Sequence, residues 1–259
     1  MSPLVSTRIE GPIAWITIDS PPVNAINVAL IDALSLALDA QAPPDVRAVV
    51  IRSVPGAHIW SAGHDVRELP TDGRDPLTYN DPLRRMVRRI ETHPLPIVAM
   101  VEGSVWGGAC ELVLACDLVV ASSHATFALT PAHIGVPYDV AGILNLMKVA
   151  DLHFVKEMLF TARPTHAARM AAYGVVNAVV PVEELESTTA EICTAIAGSS
   201  PLVIRIMKEE LRVLGNAHPI TPEAFERIQA QRREVYDSHD YQEGIAAFLE
   251  KRRPEFHGT

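Results

Sequence analysis

Apolar residues gather along the chain in short blocks, at residues 13–18, 48–52, 97–101, 118–121 and 175–180. Each block is rich in Ile, Val and Ala and too short for a free-standing helix. Most show no polar face, the pattern of strands covered on both sides. Between the blocks the spacing becomes helical. Leu30, Ile31, Leu34 and Leu38 fall on one face of residues 27–40, and Pro82 opens residues 82–90 at a first-turn position that needs no N–H. Strands that alternate with helices predict an α/β core.

The pattern changes near Asp139. From there nearly everything reads as helix, over residues 140–149, 151–160, 165–172, 182–197, 201–213 and 222–251. The last stretch is expected to break at Asp237-Ser238-His239-Asp240, because Asp and Ser favour caps over helix interiors. Pro-containing residues 18–23 and 69–76 read as ordinary loops, and no solenoid repeat is visible.

Composition narrows the class. A chain of 259 residues, 48% hydrophobic and 20% charged, fits one main globular domain with a small appended lobe. Its net charge of -9 repels a phosphate backbone and argues against nucleic acid as a partner. Cys110, Cys116 and Cys193 lack C-x-x-C spacing, so they are expected as buried thiols in a reducing compartment, with no metal site. Met1-Ser2-Pro3-Leu4 does not begin a secretory signal, and no apolar run approaches the ~20 residues of a membrane span. The expectation is a cytoplasmic protein with no membrane partner.

Two segments could carry chemistry. Trp60-Ser61-Ala62-Gly63-His64-Asp65 is a small-residue turn whose backbone can approach a ligand, though alone it is equally a tight strand-to-helix connection. Gly103-Ser104-Val105-Trp106-Gly107-Gly108-Ala109-Cys110-Glu111 places glycines ahead of a helix expected to run to Cys116. Free N–H groups at such a start suit a developing negative charge, on phosphate or on an oxyanion. Neither G-x-x-x-x-G-K-[ST] nor G-x-G-x-x-G is present, which favours the oxyanion.

In this order and separation the two segments resemble the enoyl-CoA hydratase/isomerase family, in which an S-A-G-x-D loop and a G-x-x-x-G-G-x-x-E-L helix start form the active site. Pro22-Val23-Asn24-Ala25, Cys116-Asp117-Leu118-Val119-Val120-Ala121 and Ala172-Tyr173-Gly174-Val175-Val176-Asn177 agree with it, so the resemblance covers nearly the whole chain. It implies a crotonase-type spiral of ββα units over residues 1–200 and a helical C-terminal trimerisation region over residues 201–259. It also implies a homotrimer or dimer of trimers, and an acyl-CoA whose thioester oxygen rests on two backbone N–H groups. These would belong to His64 and Gly108. Ala25, Ala62, Asp65, Val66 and Thr130 are the positions it implies for binding the rest of the substrate.

A hydratase of this family needs two glutamates. Glu111 matches the first, but Phe127-Ala128-Leu129-Thr130-Pro131-Ala132-His133-Ile134-Gly135, set against F-x-x-P-E-x-x-x-G, puts Pro131 where the second belongs. Proline cannot move a proton, and general acid-base catalysis is commonly worth about 10²- to 10⁴-fold. Residues 73–83, 130–138, 208–215 and 235–244 resemble instead the family's decarboxylating members. That implies loss of carbon dioxide from a malonyl-type thioester, methylmalonyl-CoA to propionyl-CoA, through an enolate and without biotin, metal or other cofactor. Tyr138 would hold the leaving carboxylate out of the thioester plane. The alternatives are hydration or isomerisation of a short enoyl-CoA and a non-catalytic acyl-CoA-binding relative.

Each residue also has a plainer reading. The His64 imidazole either fills the loop or touches the carboxylate. Glu111 could be a structural anion at a helix start, and Tyr138 a packed ring with its hydroxyl on backbone. Arg84, Arg85, Arg88 and Arg89 read as a solvated helix face in preference to a CoA phosphate site.

Overall fold

The protein is described by a computed structural model over residues 3–40, 45–70, 75, 78–216 and 221–258. Strands β1 (Val5–Glu10) and β2 (Ile13–Ile18) form an antiparallel pair, and α1 (Val28–Asp39) follows, capped by the Asn27 side chain on the Leu30 N–H. Strands then come two at a time: β3 (Ala48–Ser53) with β4 (Ile59–Ser61), β5 (Ile97–Val101) with β6 (Ser104–Trp106), and β7 (Leu118–Ser122) with β8 (Thr126–Ala128). Helix α2 (Pro82–Thr92) carries the chain from the first pair to the second, and α3 (Gly108–Leu114) from the second to the third.

The leading member of each pair enters a six-stranded sheet, which β10 (Ala178–Val180) completes in the order β1-β2-β3-β5-β7-β10. The trailing member enters a four-stranded sheet of order β4-β6-β8-β9, where β9 is Thr165–His166. A helix that returns the chain to the same end makes successive strands parallel, so among the described residues only β1–β2 and β8–β9 are antiparallel. This repeated advance is the spiral of ββα units that the resemblance implied.

The unbroken apolarity of the strands has a physical cause. In β2 and β3, Ala14, Ile16, Val49 and Ile51 face the main core, while Ile13, Trp15, Ala48 and Val50 face a second core. The main core also takes up α1 and α2, and α7 (Leu185–Ala197) closes the second through Leu185 and Cys193. A period of two with a core on either side leaves little room for polar residues, and Thr17 and Arg52, near the ends of β2 and β3, bond each other at 3.1 Å. Cys110, Cys116 and Cys193 are buried thiols.

Helices α4 (Val140–Val149), α5 (Leu152–Thr161), α6 (Ala167–Ala172), α8 (Pro201–Gly215), α9 (Pro222–Tyr236) and α10 (His239–Leu249) supply the helical second half. The expected break at residues 237–240 is present: α9 stops at Tyr236, and Ser238 caps α10 through the Tyr241 N–H at 3.2 Å. Three expectations need correction. Residues 165–172 begin as the short strand β9, because Phe127 of β8 pairs with Thr165 before the helix starts. Residues 175–180 are strand only from Ala178. The helix expected to reach Cys116 ends at Leu114. Strand β1 went unrecognised because Val5–Glu10 is almost wholly exposed and carries Ser, Thr, Arg and Glu. Among the described residues no single helix is long and apolar enough to cross a membrane.

Candidate active site

Backbone hydrogen bonds build one side of the site. The chain at Val23–Ile26 runs beside Ala62–Asp65: the Ala62 N–H donates to the Val23 carbonyl at 2.9 Å, Ile26 to Gly63 at 2.8 Å, and Asp65 to Ile26 at 2.9 Å. The Asn24 amide donates to the Trp60 carbonyl at 2.9 Å, and the Ser61 hydroxyl to the Asn24 carbonyl at 2.6 Å. These contacts force Gly63 against the start of α3. A Cβ on Gly63 would stand 2.4 Å from the Trp106 carbonyl oxygen, and its φ of +85° already disfavours any other residue.

The result is that two N–H groups lie side by side. A Cβ on Gly63 would be 3.2 Å from the Gly108 nitrogen, and one on Gly108 would be 3.7 Å from the His64 nitrogen. Gly108 is the first residue of α3, so its N–H has no intrahelical partner. Among the described residues neither N–H is taken by a hydrogen bond. His64 and Gly108 both line a pocket of about 70 Å³.

Side chains build the other side. Glu111, one turn into α3, is 3% exposed and faces the same pocket. Arg84 of α2 donates to it at 2.8 Å and also reaches Asp139 at 3.2 Å. Asp139 in turn caps α4 through the Gly142 N–H at 2.7 Å. Burial pushes the Glu111 carboxyl up to about 7, against the opposing pull of the Arg84 guanidinium. Helix α4 can come this close only because residue 142 is glycine: a Cβ there would stand 2.1 Å from Glu111 Oε1 and 2.6 Å from the Tyr138 ring. The Tyr138 hydroxyl is buried in the pocket wall and has no hydrogen-bond partner among the described residues. The remaining wall is apolar, with Val66, Leu69, Leu83, Ile134, Val136 and Pro131.

Of the residues expected from sequence, His64, Val66, Gly108, Glu111 and Tyr138 converge on this pocket. Ala62 and Ala25 lie beside it on the two paired loop segments, and both are partly exposed. The Asp65 carboxylate is already engaged, accepting from the Arg67 N–H at 3.1 Å and from its guanidinium at 2.6 Å. Thr130 precedes the 3-10 turn Pro131–Ile134 and does not line the pocket itself, but its hydroxyl lies 3.3 Å from where a Cβ on the lining residue Gly107 would stand. The plainer reading of Tyr138, a hydroxyl satisfied by backbone, is overturned by the missing partner. Residues 73, 74, 76 and 77 of the 73–83 segment lie outside the described residues.

Arg84 is the main correction. Read with Arg85, Arg88 and Arg89 as part of a solvated face, it is instead 5% exposed and sits between two buried carboxylates. Its position was in the periodicity: three residues before Val87 and beside Leu83, it falls on the apolar side of α2. Asp81 and Asp139, both buried, were missed for a different reason. Each reads in sequence as a helix cap, and each is one.

Comparison with known proteins agrees with this geometry. The enoyl-CoA hydratase/isomerase family profile matches residues 8–259. Methylmalonyl-CoA decarboxylase of Escherichia coli strain K12 is 52% identical over 236 residues, covering 91% of this chain and 90% of that protein. Carnitinyl-CoA dehydratase of Salmonella arizonae is 32% identical over the full length of both. A solved structure of methylmalonyl-CoA decarboxylase in complex with 2-nitronate-propionyl-CoA superposes with a TM-score of 0.97 at 49% identity, over 99% of each chain.

Proposed function

The chain belongs to the enoyl-CoA hydratase/isomerase family, and on that premise we propose that it decarboxylates methylmalonyl-CoA to propionyl-CoA and carbon dioxide. The bond between the α-carbon and the carboxylate breaks, and its electron pair moves into the thioester carbonyl to give an enolate. The carboxylate leaves as carbon dioxide, and the α-carbon takes a proton from water or a neighbouring acid. The thioester carbonyl itself accepts the electron pair, so the reaction is written without an added cofactor. The N–H groups of His64 and Gly108 hold the enolate oxygen, a role in which one donor is worth about 2.7–4 kcal/mol.

The observation that carries this reading is the orphaned Tyr138 hydroxyl. A buried hydroxyl without a partner is costly unless a ligand completes it. Here it stands in the wall of the pocket that His64 and Gly108 also line. It can donate to the malonyl carboxylate and turn the breaking bond toward the carbonyl π system. Pro131 supports the same conclusion, since it occupies the pocket wall where a hydratase of the family would carry its second acid. Glu111, whose carboxyl burial pushes up to about 7 against the pull of Arg84, lines the same pocket and is suited to deliver the proton that the α-carbon takes up.

We further propose that residues 1–200 form the catalytic spiral and residues 201–259 the assembly region of a homotrimer or dimer of trimers. Helix α8 buries no residue, yet Leu202, Val203, Ile206, Met207, Leu211 and Leu214 are all exposed. A second copy of the chain would cover such a face. Ala25, Ala62, Asp65 and Thr130, around the pocket rim, would contact the CoA arm, and the protein works in the cytoplasm. The test is a panel of thioesters on purified protein. Propionyl-CoA and carbon dioxide are expected from methylmalonyl-CoA, and hydration of crotonyl-CoA is expected well below the roughly 1–10³ s⁻¹ typical of enzymes. Fast hydration without decarboxylation would overturn the proposal, and binding without turnover of either would favour the non-catalytic relative.

A further inference from the structure

His64 contributes more to the site than a backbone N–H. Its ring lines the acyl pocket with 17% of the side chain exposed, and both ring nitrogens face oxygen. Nδ1 lies 3.2 Å from the Asp65 carbonyl oxygen, and Nε2 lies 3.5 Å from Asp81 Oδ2. A neutral imidazole has one N–H and can satisfy one of these acceptors, whereas the imidazolium satisfies both. Asp81 is itself buried, and its other oxygen accepts the Arg84 N–H at 3.2 Å. One carboxylate therefore starts the helix that delivers Arg84 to Glu111 and faces the ring that follows the oxyanion loop.

We propose that Asp81 is a positioning residue that holds the His64 ring as an imidazolium at the edge of the acyl pocket, where its charge selects carboxylate-bearing thioesters and stabilises the enolate. This rests on the decarboxylase reading and gives it a specificity element. A positive charge one residue's breadth from the oxyanion N–H opposes both the negative charge of the malonyl group and the charge that forms on the enolate oxygen. Burial pulls the His64 midpoint down, but the Asp81 contact, the Asp65 carbonyl and the charge of Glu68 outweigh it and leave the midpoint raised. Among the described residues, Glu111 and Tyr138 are the other titratable groups that line the same space.

The variant that separates charge from structure is Asp81→Asn, because Asn caps a helix as well as Asp does and removes only the negative charge. The His64 ring titration, followed by NMR in the full-length protein and assigned with His64→Gln, is expected above its ordinary value in the wild type and below it in Asp81→Asn. The wild-type kcat/KM for methylmalonyl-CoA is expected to fall as pH rises through the His64 midpoint. In Asp81→Asn that limb moves to lower pH, and kcat/KM at pH 7 drops about tenfold, the worth of one charge-assisted contact. Affinity for propionyl-CoA, which lacks the carboxylate, stays within about twofold because no charged contact is lost. An unmoved His64 titration, an unmoved pH limb, or an equal loss of propionyl-CoA affinity each overturns the proposal. If the wild type fails to decarboxylate methylmalonyl-CoA, the functional reading falls, while the ring titration still decides whether Asp81 charges His64.

Discussion

The two sides of the pocket are held by different means. On the oxyanion side, His64 and Gly108 are placed by main-chain hydrogen bonds between Val23–Ile26 and Ala62–Asp65 and by the tight fit of Gly63 under Trp106. Among side chains, the Asn24 amide and the Ser61 hydroxyl brace the same loops. On the acid side, placement depends on a buried network of Glu111, Arg84 and Asp139, with Tyr138 left one hydrogen bond short. A backbone cradle can be inherited through wide sequence change, because every residue but proline supplies an N–H. A side-chain network is remade by single substitutions. The cradle thus sets the common intermediate, and the network decides which reaction leads to it.

Four substitutions probe that contrast. The largest effect is expected on the acid side, in stability. Arg84→Ala leaves two buried carboxylates uncompensated, and breaking a buried pair in this way costs about 3–5 kcal/mol, read as a lowered denaturation midpoint. Next, Gly63→Ala pushes a methyl group into the Trp106 carbonyl and shifts both oxyanion donors. A fall of about 10²- to 10³-fold in kcat is expected, with circular dichroism showing the fold retained. If kcat held, the backbone would not be what positions the oxyanion.

Tyr138→Phe comes third. Loss of one hydrogen bond to a charged group is worth about 1.5–3 kcal/mol, roughly 10- to 150-fold in kcat/KM. Because the hydroxyl has no partner among the described residues, its removal should leave Tm unchanged or raise it by about 2–4 °C. A Phe variant within twofold of wild type in kcat/KM would remove Tyr138 from the mechanism. Smallest of all is the effect of Glu111→Gln on thioester binding, expected within about 1 kcal/mol by calorimetry since no charged contact to the substrate is lost. A larger loss of affinity would mean that Glu111 holds the ligand directly.

Much of this was legible in the sequence, though unevenly. The strands β2, β3, β5 and β7 announced themselves because both of their faces are buried, whereas β4, β6, β8 and β9 are two or three residues long and leave no periodicity to detect. The second sheet was therefore invisible as such, although its loops carried the motifs that revealed the site. Glycines at 63, 107 and 108 and the acid at 111 stand within short, ordered segments, where the glycines suggest a backbone that faces a ligand and the resemblance to the family gives them and Glu111 their roles. Arg84 and Asp81 did not stand out, because an arginine among four on a helix and an Asp before Pro look the same whether buried or solvated.

The sequence by itself determined the α/β class, the helical second half and the glycines ahead of α3, because each is written in local pattern or residue identity, and the resemblance to the family added the oxyanion pair and the lack of a second acid at Pro131. Only the tertiary structure decided that Arg84 is buried between Glu111 and Asp139, that the Tyr138 hydroxyl has no partner among the described residues and that Asp81 faces His64. These facts depend on which surfaces α2, α3 and α4 turn toward one another. Charge state and hydrogen-bond satisfaction follow from the neighbours a folded chain brings within a few ångströms, and neighbours distant in sequence leave no local mark.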